Sequence, residues 1–127
     1  MNDQSTNVQT EKKYDLEERT ARFAEEAISL LLRLPRNPIN DRLVGQATGS
    51  TGSLGANYCE ANEAESKKDF EHKIGICKKE TKESKHWIRL LATANPNFRD
   101  ELRTLWKEAQ ELLLIFSKIL SSARGSN

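Results

Sequence analysis

The hydrophobic positions of the chain recur at steps of three and four residues, which is the spacing of one face of an α-helix. The first run lies between Asp15 and Pro35, and its apolar face is Leu16, Thr20, Phe23, Ala27, Leu30, Leu31 and Leu34. Glutamates in its first turn suit the positive end of a helix dipole, and a proline drives the preceding residue out of the α region. The pattern predicts an amphipathic helix that ends at Pro35.

Two longer runs predict two more amphipathic helices in the second half of the chain. The seam of the first keeps steps of four and three over three heptads: Phe70, Ile74, Cys77, Thr81, Ser84, Ile88 and Leu91. After Asn95 and Pro96 comes a second apolar face, broadened by Trp106 and Leu113 and made of Phe98, Leu102, Leu105, Ala109, Leu112, Phe116, Ile119 and Ala123. Seams of this length need partner helices to cover them.

The stretch 39–65 is ambiguous because its middle reads GQATGSTGSLGANYCEA. Each interior glycine costs a helix about 1 kcal/mol relative to alanine, which favours a flexible loop. Against the loop, the stretch has no proline and keeps helical spacing at Leu43, Ala47, Ser50, Leu54, Tyr58 and Ala61. Small residues at four positions would let the backbone of another helix approach closely: Gly45, Gly49, Gly52 and Ala56. That close packing would offset the cost of the glycines. We therefore favour a helix over a loop.

Composition supports one all-α domain. The chain has 127 residues, of which 31% are charged and 36% hydrophobic. The hydrophobic residues are enough to fill one core but not two. We expect a disordered tail over 1–13, the domain over 14–124 and a frayed end over 125–127. No apolar run approaches the ~20 residues that span a bilayer, and the N-terminus lacks a signal-peptide core. We expect a soluble, cytoplasmic protein with no membrane partner.

Candidate chemistry is sparse. Cys59 and Cys77 have no further cysteines or paired histidines at zinc spacing, so we expect both to be reduced and in or near the core. His72 and His86 are the only histidines, and neither belongs to a nucleophilic unit; we expect His86 to be interfacial or exposed. The sequence predicts no catalytic residues, no metal and no cofactor, and hence a protein that is not an enzyme.

The distribution of charge says more than the net charge of +1. Residues 66–92 contain eight Lys or Arg and four acids, a balance of +4. One helix face would carry Lys78, Lys82, Lys85 and Arg89, and Lys67, Lys68 and Lys73 would extend it. Such a row can track the phosphates of a nucleic acid. The alternative is a solvated face, softened by Lys79 with Glu83 at i,i+4.

Two blocks of the sequence resemble a known family. The segment SLGANYCEA, from Ser53, is similar to S-I-x-A-N-x-x-E-[AG]. SKKDF, from Ser66, and KETKESKHWIRLL, from Lys79, are similar to S-x-x-[DE]-F and K-E-x-x-E-x-x-[YH]-W-[IL]-x-L-[LA]. These patterns belong to the bacterial 23S rRNA-intervening sequence proteins, which also resemble the accessory protein of diversity-generating retroelements. The resemblance covers Tyr14 to Arg124.

The resemblance implies an antiparallel, up-and-down four-helix bundle that assembles as a ring-like homopentamer, and it strengthens the helical interpretation of 39–65. The resemblance extends to the retroelement branch, whose protein is a strongly basic, nucleic-acid-binding partner of a reverse transcriptase. The net charge of +1 departs from that branch.

Five further residues lie where the family pattern is most specific: Asn57, Glu60, Glu80, Glu83 and Trp87. Facing carboxylates can bind a metal or act as acid and base, but Glu83 and His86 form the only Glu-x-x-His pair. We favour hydrogen bonds that fix helix register, within the bundle or across a subunit interface. The tryptophan either anchors such an interface or is a boundary core residue under the fourth helix.

The leading functional hypothesis is an oligomeric, non-enzymatic binding protein of the rRNA-intervening-sequence type. Its partners would be further copies of itself and RNA, or a nucleoprotein such as a reverse transcriptase, bound through the basic face of the third helix. The alternative is a protein-interaction scaffold with no nucleic-acid ligand.

Overall fold

The computed structural model describes residues 15–125, which form four α-helices and one short 3-10 turn. The elements are α1 (Leu16–Leu31), α2 (Pro38–Asn62), α3 (Lys67–Ala94), the 3-10 turn (Pro96–Phe98) and α4 (Arg99–Gly125). No strand occurs within residues 15–125, so the all-α prediction is confirmed. The tail predicted over 1–13 lies outside the described residues, and of the predicted frayed end only Gly125 is described, as the last residue of α4.

Three helix starts follow from local sequence. The side chains of Asp15, Asn37 and Ser66 each accept a hydrogen bond from the backbone N–H three residues later, at 3.2, 2.8 and 3.0 Å. These caps satisfy N–H groups that have no partner inside the helix. Pro38 opens α2, where its missing N–H costs no hydrogen bond.

The predicted apolar faces meet in one core. The face of α1 is buried along its whole length, and the seam of α3 is buried from Ile74 to Leu91, with Phe70 half-buried. The α4 face is buried from Leu102 to Phe116 and half-buried at Ile119. The largest fully buried apolar side chains come from all four helices: Phe23, Phe116, Leu16, Leu54, Ile74, Ile88, Leu91, Leu102 and Leu112.

The glycine-rich stretch is part of the continuous helix α2, so the helical prediction for it is confirmed. The packing reason given for it is wrong at all four positions named, as far as helices of the same chain are concerned. A Cβ atom would meet nothing within 4 Å at Gly45, Gly49 and Gly52, and Ala56 is exposed. The close approach lies instead at Gly55, where a Cβ would stand 3.0 Å from Thr20 Oγ1 of α1.

A buried pair of side-chain amides joins the start of α2 to the end of α3. Asn40 Nδ2 donates to Asn95 Oδ1 at 2.8 Å, and Asn95 Nδ2 donates back to Asn40 Oδ1 at 2.9 Å. The same nitrogens donate to the carbonyl oxygens of Pro35 and Leu91, both at 2.9 Å. Because every amide donor has a partner, the pair can be buried without an unsatisfied polar group. It holds the end of the molecule at which α4 begins.

Candidate nucleic-acid interface

The last turns of α3 and the first turns of α4 enclose a groove with a volume of about 370 Å³. Its floor contains four apolar side chains: Ile88, Ala92, Leu102 and Trp106. Four cations complete its lining: Arg89, Arg99, Arg103 and Lys107. No acidic residue lines it. We call this feature the cationic groove.

The four cations converge because of helix periodicity and because α3 packs on α4. Arg99, Arg103 and Lys107 follow at steps of four residues, so α4 presents them on one face, and Arg89 enters from α3. Within residues 15–125, none of these four cations lies in an ion pair. Their charge is therefore available to a ligand.

Lys85 was predicted to join the phosphate-tracking row, and the structure gives it contacts within the protein. Its Nζ donates a hydrogen bond to Gln110 Oε1 of α4 and lies 4.6 Å from the centroid of the Trp106 ring. A cation over an indole face is attracted by the ring quadrupole. Lys85 thus positions Trp106 at the cationic groove and is not a free cation of its rim.

The other predicted basic residues do not form one surface with the groove. Lys67 pairs with Glu71 at 3.8 Å and begins α3, 22 residues before Arg89, which is about 33 Å along the helix axis at 1.5 Å per residue. Lys73 donates to Glu60 Oε1 at 2.6 Å, and this hydrogen bond raises the pKa of the lysine. The remaining members of the predicted row are exposed or half-buried and lie in no ion pair within residues 15–125: Lys68, Lys78 and Lys82.

Sequence reasoning missed three of the four groove cations. Arg99, Arg103 and Lys107 lie in a segment with three acids of its own, Asp100, Glu101 and Glu108, so local charge balance did not stand out. The signal that could have found them is the repeated four-residue step between cations at the start of a predicted helix.

The polar residues of the family pattern do not converge on one site. Asn57 Nδ2 donates to the Ser53 carbonyl oxygen of its own helix at 2.9 Å, whereas Glu60 bonds across to Lys73 of α3. Glu80 is half-buried, and burial, followed by the nearby carboxylate of Glu83, raises its pKa. Within residues 15–125, no group of three or more His, Cys, Asp or Glu side chains is placed to hold a metal. A role of these residues at a subunit interface stays a prediction.

Trp87 packs against the core while remaining half-buried, and its ring meets that of His86 edge-on at a centroid distance of 4.9 Å. His86 is exposed, as predicted. Cys77 is buried, its Sγ lies 3.4 Å from the Leu54 carbonyl oxygen, and burial raises its pKa to about 12, so the thiol stays protonated at neutral pH. Cys59 is exposed, and the prediction that it lies in or near the core is wrong.

A second concave feature lies on the other side of α4, between it and α1, with a volume of about 950 Å³. We call it the acidic cleft, because its lining includes six carboxylates and three cations. Arg19 of α1 crosses it to Glu108 and Glu111 of α4, with nitrogen–oxygen distances of 2.7 and 2.8 Å. The hydrogen bond to Glu108 raises the pKa of the Arg19 guanidinium. Near the end of α1, Arg33 makes a double hydrogen bond to Glu101.

Four helices packed around one core place the chain among the all-α four-helix proteins. The chain belongs to the 23S rRNA-intervening sequence protein family, whose sequence pattern matches residues 12–125. The family resemblance seen in the two sequence blocks is thereby confirmed.

A solved structure supports the same assignment. The chain is similar to a protein of unknown function from the S23 ribosomal protein family of Bacteroides thetaiotaomicron, with a TM-score of 0.72 and 26% identity over 82% of this chain and 96% of that one. Among curated proteins, no match was found. Within residues 15–125, no helix is long and apolar enough to cross a membrane.

Proposed function

We propose that the chain is a non-enzymatic, oligomeric RNA-binding protein that contacts RNA through the cationic groove, with RNA either free or as part of a nucleoprotein. The observation that carries the proposal is the convergence of four unpaired cations from two helices over an apolar floor. Phosphates supply the matching charge and bases supply the matching apolar surface. The family is named for an intervening sequence of 23S rRNA, so RNA is the nucleic acid to test first.

The proposed bundle is antiparallel and up-and-down. In support, Arg19 near the start of α1 reaches Glu111 of α4, whereas Arg33 just beyond its end reaches Glu101, which lies earlier in α4. Likewise the start of α2 contacts the end of α3 through Asn40 and Asn95. These pairings are those of neighbouring helices that run in opposite directions.

The proposed oligomer is a ring-like homopentamer, and the outer face of α2 is the best candidate for its contact. No charged residue occurs between Arg42 and Glu60. Three exposed glycines lie on this helix: Gly45, Gly49 and Gly52. Each costs the helix about 1 kcal/mol relative to alanine, and a Cβ there would meet no other part of the described chain within 4 Å. A helix of a second copy that packs there would offset the cost. A ring would also present several grooves, so that weak contacts act together.

The first experiment is size-exclusion chromatography with light scattering at low and high salt, with absorbance at two wavelengths to detect carried nucleic acid. The proposal expects an oligomer that releases nucleic acid as salt rises, because RNA phosphates displace counterions. A monomer would contradict the assembly. Metal analysis of the same sample tests for a metal-dependent enzyme.

A binding titration then tests the groove itself. Substituting Arg89, Arg99 and Arg103 together with alanine should flatten the plot of log affinity against log salt by about two, since each phosphate contact to a single strand contributes about 0.7 to the slope. The matched control substitutes three cations outside the groove, Lys68, Lys79 and Lys118, and should change the slope by less than half as much. Equal effects of the two triple variants would refute the groove as the site.

A second candidate function is a protein-interaction scaffold without a nucleic-acid ligand. It is favoured by the uncharged outer face of α2 together with exposed apolar residues at the end of α1, where Ile28 is 46% exposed and Leu32, the residue after the helix, 80%. A clean oligomer that carries no nucleic acid at either salt and binds no RNA would support this scaffold over the RNA-binding function.

A further inference from the structure

We infer that the cationic groove selects single-stranded RNA and takes one unstacked nucleobase against Trp106. The inference rests on the proposed RNA-binding function and adds the class of RNA to it. Two features carry it, namely the apolar floor under the cations and the way in which the indole of Trp106 is held.

The floor distinguishes a single strand from a duplex. Ala92 and the half-buried Trp106 present apolar carbon at the bottom of a concave surface, above the buried Ile88 and Leu102 and with the cations around it. A duplex offers phosphates to the cations but keeps the faces of its bases stacked inside, so the floor would have no partner. An unstacked base has an apolar face that can cover this floor while its phosphates reach the cations.

Trp106 supplies an aromatic surface whose orientation is fixed in advance. The ammonium of Lys85 lies 4.6 Å from its ring centroid, and a hydrogen bond to Gln110 fixes the lysine in turn. The ring is half-buried and lines the groove, so it is both anchored and accessible. Because a pre-oriented side chain loses little freedom on binding, the aromatic contact keeps more of its attraction for the base.

The cations define where the strand would run. Arg99, Arg103 and Lys107 follow one face of α4 for two turns, about 12 Å, and Arg89 stands on α3. A strand lying along this face places successive phosphates near the cations and turns one base toward Trp106. Bases differ little in their stacking faces, so we expect weak dependence on sequence.

The test compares one labelled RNA of about twelve nucleotides, without self-complementarity, with the same strand annealed to its complement. Fluorescence anisotropy gives both affinities, and the single strand should bind at least tenfold more tightly. The chain has two tryptophans, so a Trp87→Phe variant reports Trp106 alone. Its fluorescence should be quenched by the single strand and not by the duplex.

Substitution of the ring gives an independent measurement. Trp106→Leu keeps an apolar side chain but removes the stacking surface, and it should weaken single-strand binding by about fivefold to hundredfold. Trp87→Leu is the matched control, because Trp87 does not line the groove, and should leave the affinity unchanged. If Trp106→Leu does not fold by circular dichroism, the quenching of Trp106 in the Trp87→Phe variant decides the question.

The outcomes separate this inference from the proposed function. Equal affinity for single strand and duplex, without quenching of Trp106 and with loss of binding in the Arg89, Arg99 and Arg103 triple variant, would refute base selection and leave RNA binding at the groove intact. No binding of either RNA at low salt would overturn the proposed function itself.

Discussion

The two concave surfaces beside α4 handle charge in opposite ways. In the acidic cleft, six carboxylates share the lining with three cations, and Arg19 crosses it to bond two glutamates. In the cationic groove, four cations line the surface with no carboxylate at all. Lys107 lines both. The comparison teaches that the position of a charge matters less than whether the fold already pairs it.

Pairing decides which surface can attract a polyanion. Ion pairs across the cleft cancel part of its field and hold α1 to α4, so its charges serve the fold. Unpaired cations in a groove with apolar walls focus their field outward and raise the local concentration of anions. A net charge of +1 for the whole chain conceals this difference, because the two surfaces nearly cancel.

The largest effect is expected from the frame that both surfaces share. Asn95→Ala leaves the buried amide of Asn40 without its partner, which should lower the free energy of unfolding by about 2 kcal/mol. Urea denaturation followed by circular dichroism measures the change. Asn97→Ala, at an exposed position two residues on, should cost less than about 0.5 kcal/mol. Similar losses in the two variants would mean that the amide pair contributes little.

Placing an acid among the groove cations should make the groove resemble the cleft. In Arg103→Glu the new carboxylate lies four residues from both Arg99 and Lys107 and can pair with either. We expect RNA affinity to fall at least tenfold, about 1.4 kcal/mol, in an anisotropy titration. Arg22→Glu in the cleft changes net charge equally and should cost less than threefold. An equal loss would show that total charge, not the groove, controls binding.

Opening the cleft should affect stability and leave RNA binding unchanged. Arg19→Ala removes the bonds to Glu108 and Glu111, both pairs being partly exposed, so we expect a loss of about 1 kcal/mol in the free energy of unfolding. RNA affinity measured below the unfolding transition should stay within twofold of the original. A larger decrease in affinity would mean that the cleft, too, contributes to the interface.

The smallest effect is expected at Glu80. It precedes Arg89 by nine residues, which is about two and a half turns, so the two side chains lie on opposite faces of α3. Burial raises the pKa of Glu80 in the folded state. Between the ordinary glutamate pKa and this raised pKa, the folded state therefore binds more protons than the unfolded state. As pH rises through this range, ionisation of Glu80 lowers the free energy of unfolding. Glu80→Gln should therefore stabilise the protein at pH 7, by less than about 0.5 kcal/mol, and not at pH 3.5.

Thermal denaturation at both pH values measures the effect of Glu80→Gln. The same substitution removes one negative charge far from the groove, so RNA affinity should change by less than twofold. A stabilisation at pH 3.5 equal to that at pH 7 would rule out ionisation as its cause.

The helices α1, α3 and α4 could be predicted because they obey local rules. The seam from Ile74 to Leu91 and the caps at Asp15 and Ser66 depend on residues only a few positions apart. Gly45 and Gly55 show where local rules end, since the same residue type is exposed at one position and faces α1 at the other. Which of them meets another helix depends on how α1 crosses α2, and spacing along α2 does not contain that information.

The candidate site was predictable only in part for the same reason. Lys85 and Arg89 share a face of α3, yet one is held by Gln110 of α4 and the other lines the groove. Their different roles depend on which α4 residues stand opposite them. The contribution of Arg99 and Arg103 follows from that register between helices, which a one-dimensional pattern of charges does not specify.

The exposed glycines of α2 also have a consequence for the motions of the protein. Glycine loses more backbone entropy on folding than other residues, and at the exposed positions of α2 no packing within the chain compensates for this loss. The segment should therefore unfold locally at low free energy. Amides of residues 45–52 should exchange with deuterium faster than those along the α3 seam. Any surface that packs on this face would slow that exchange. Protection of residues 45–52 that rises with protein concentration would therefore locate the contact between copies, residue by residue.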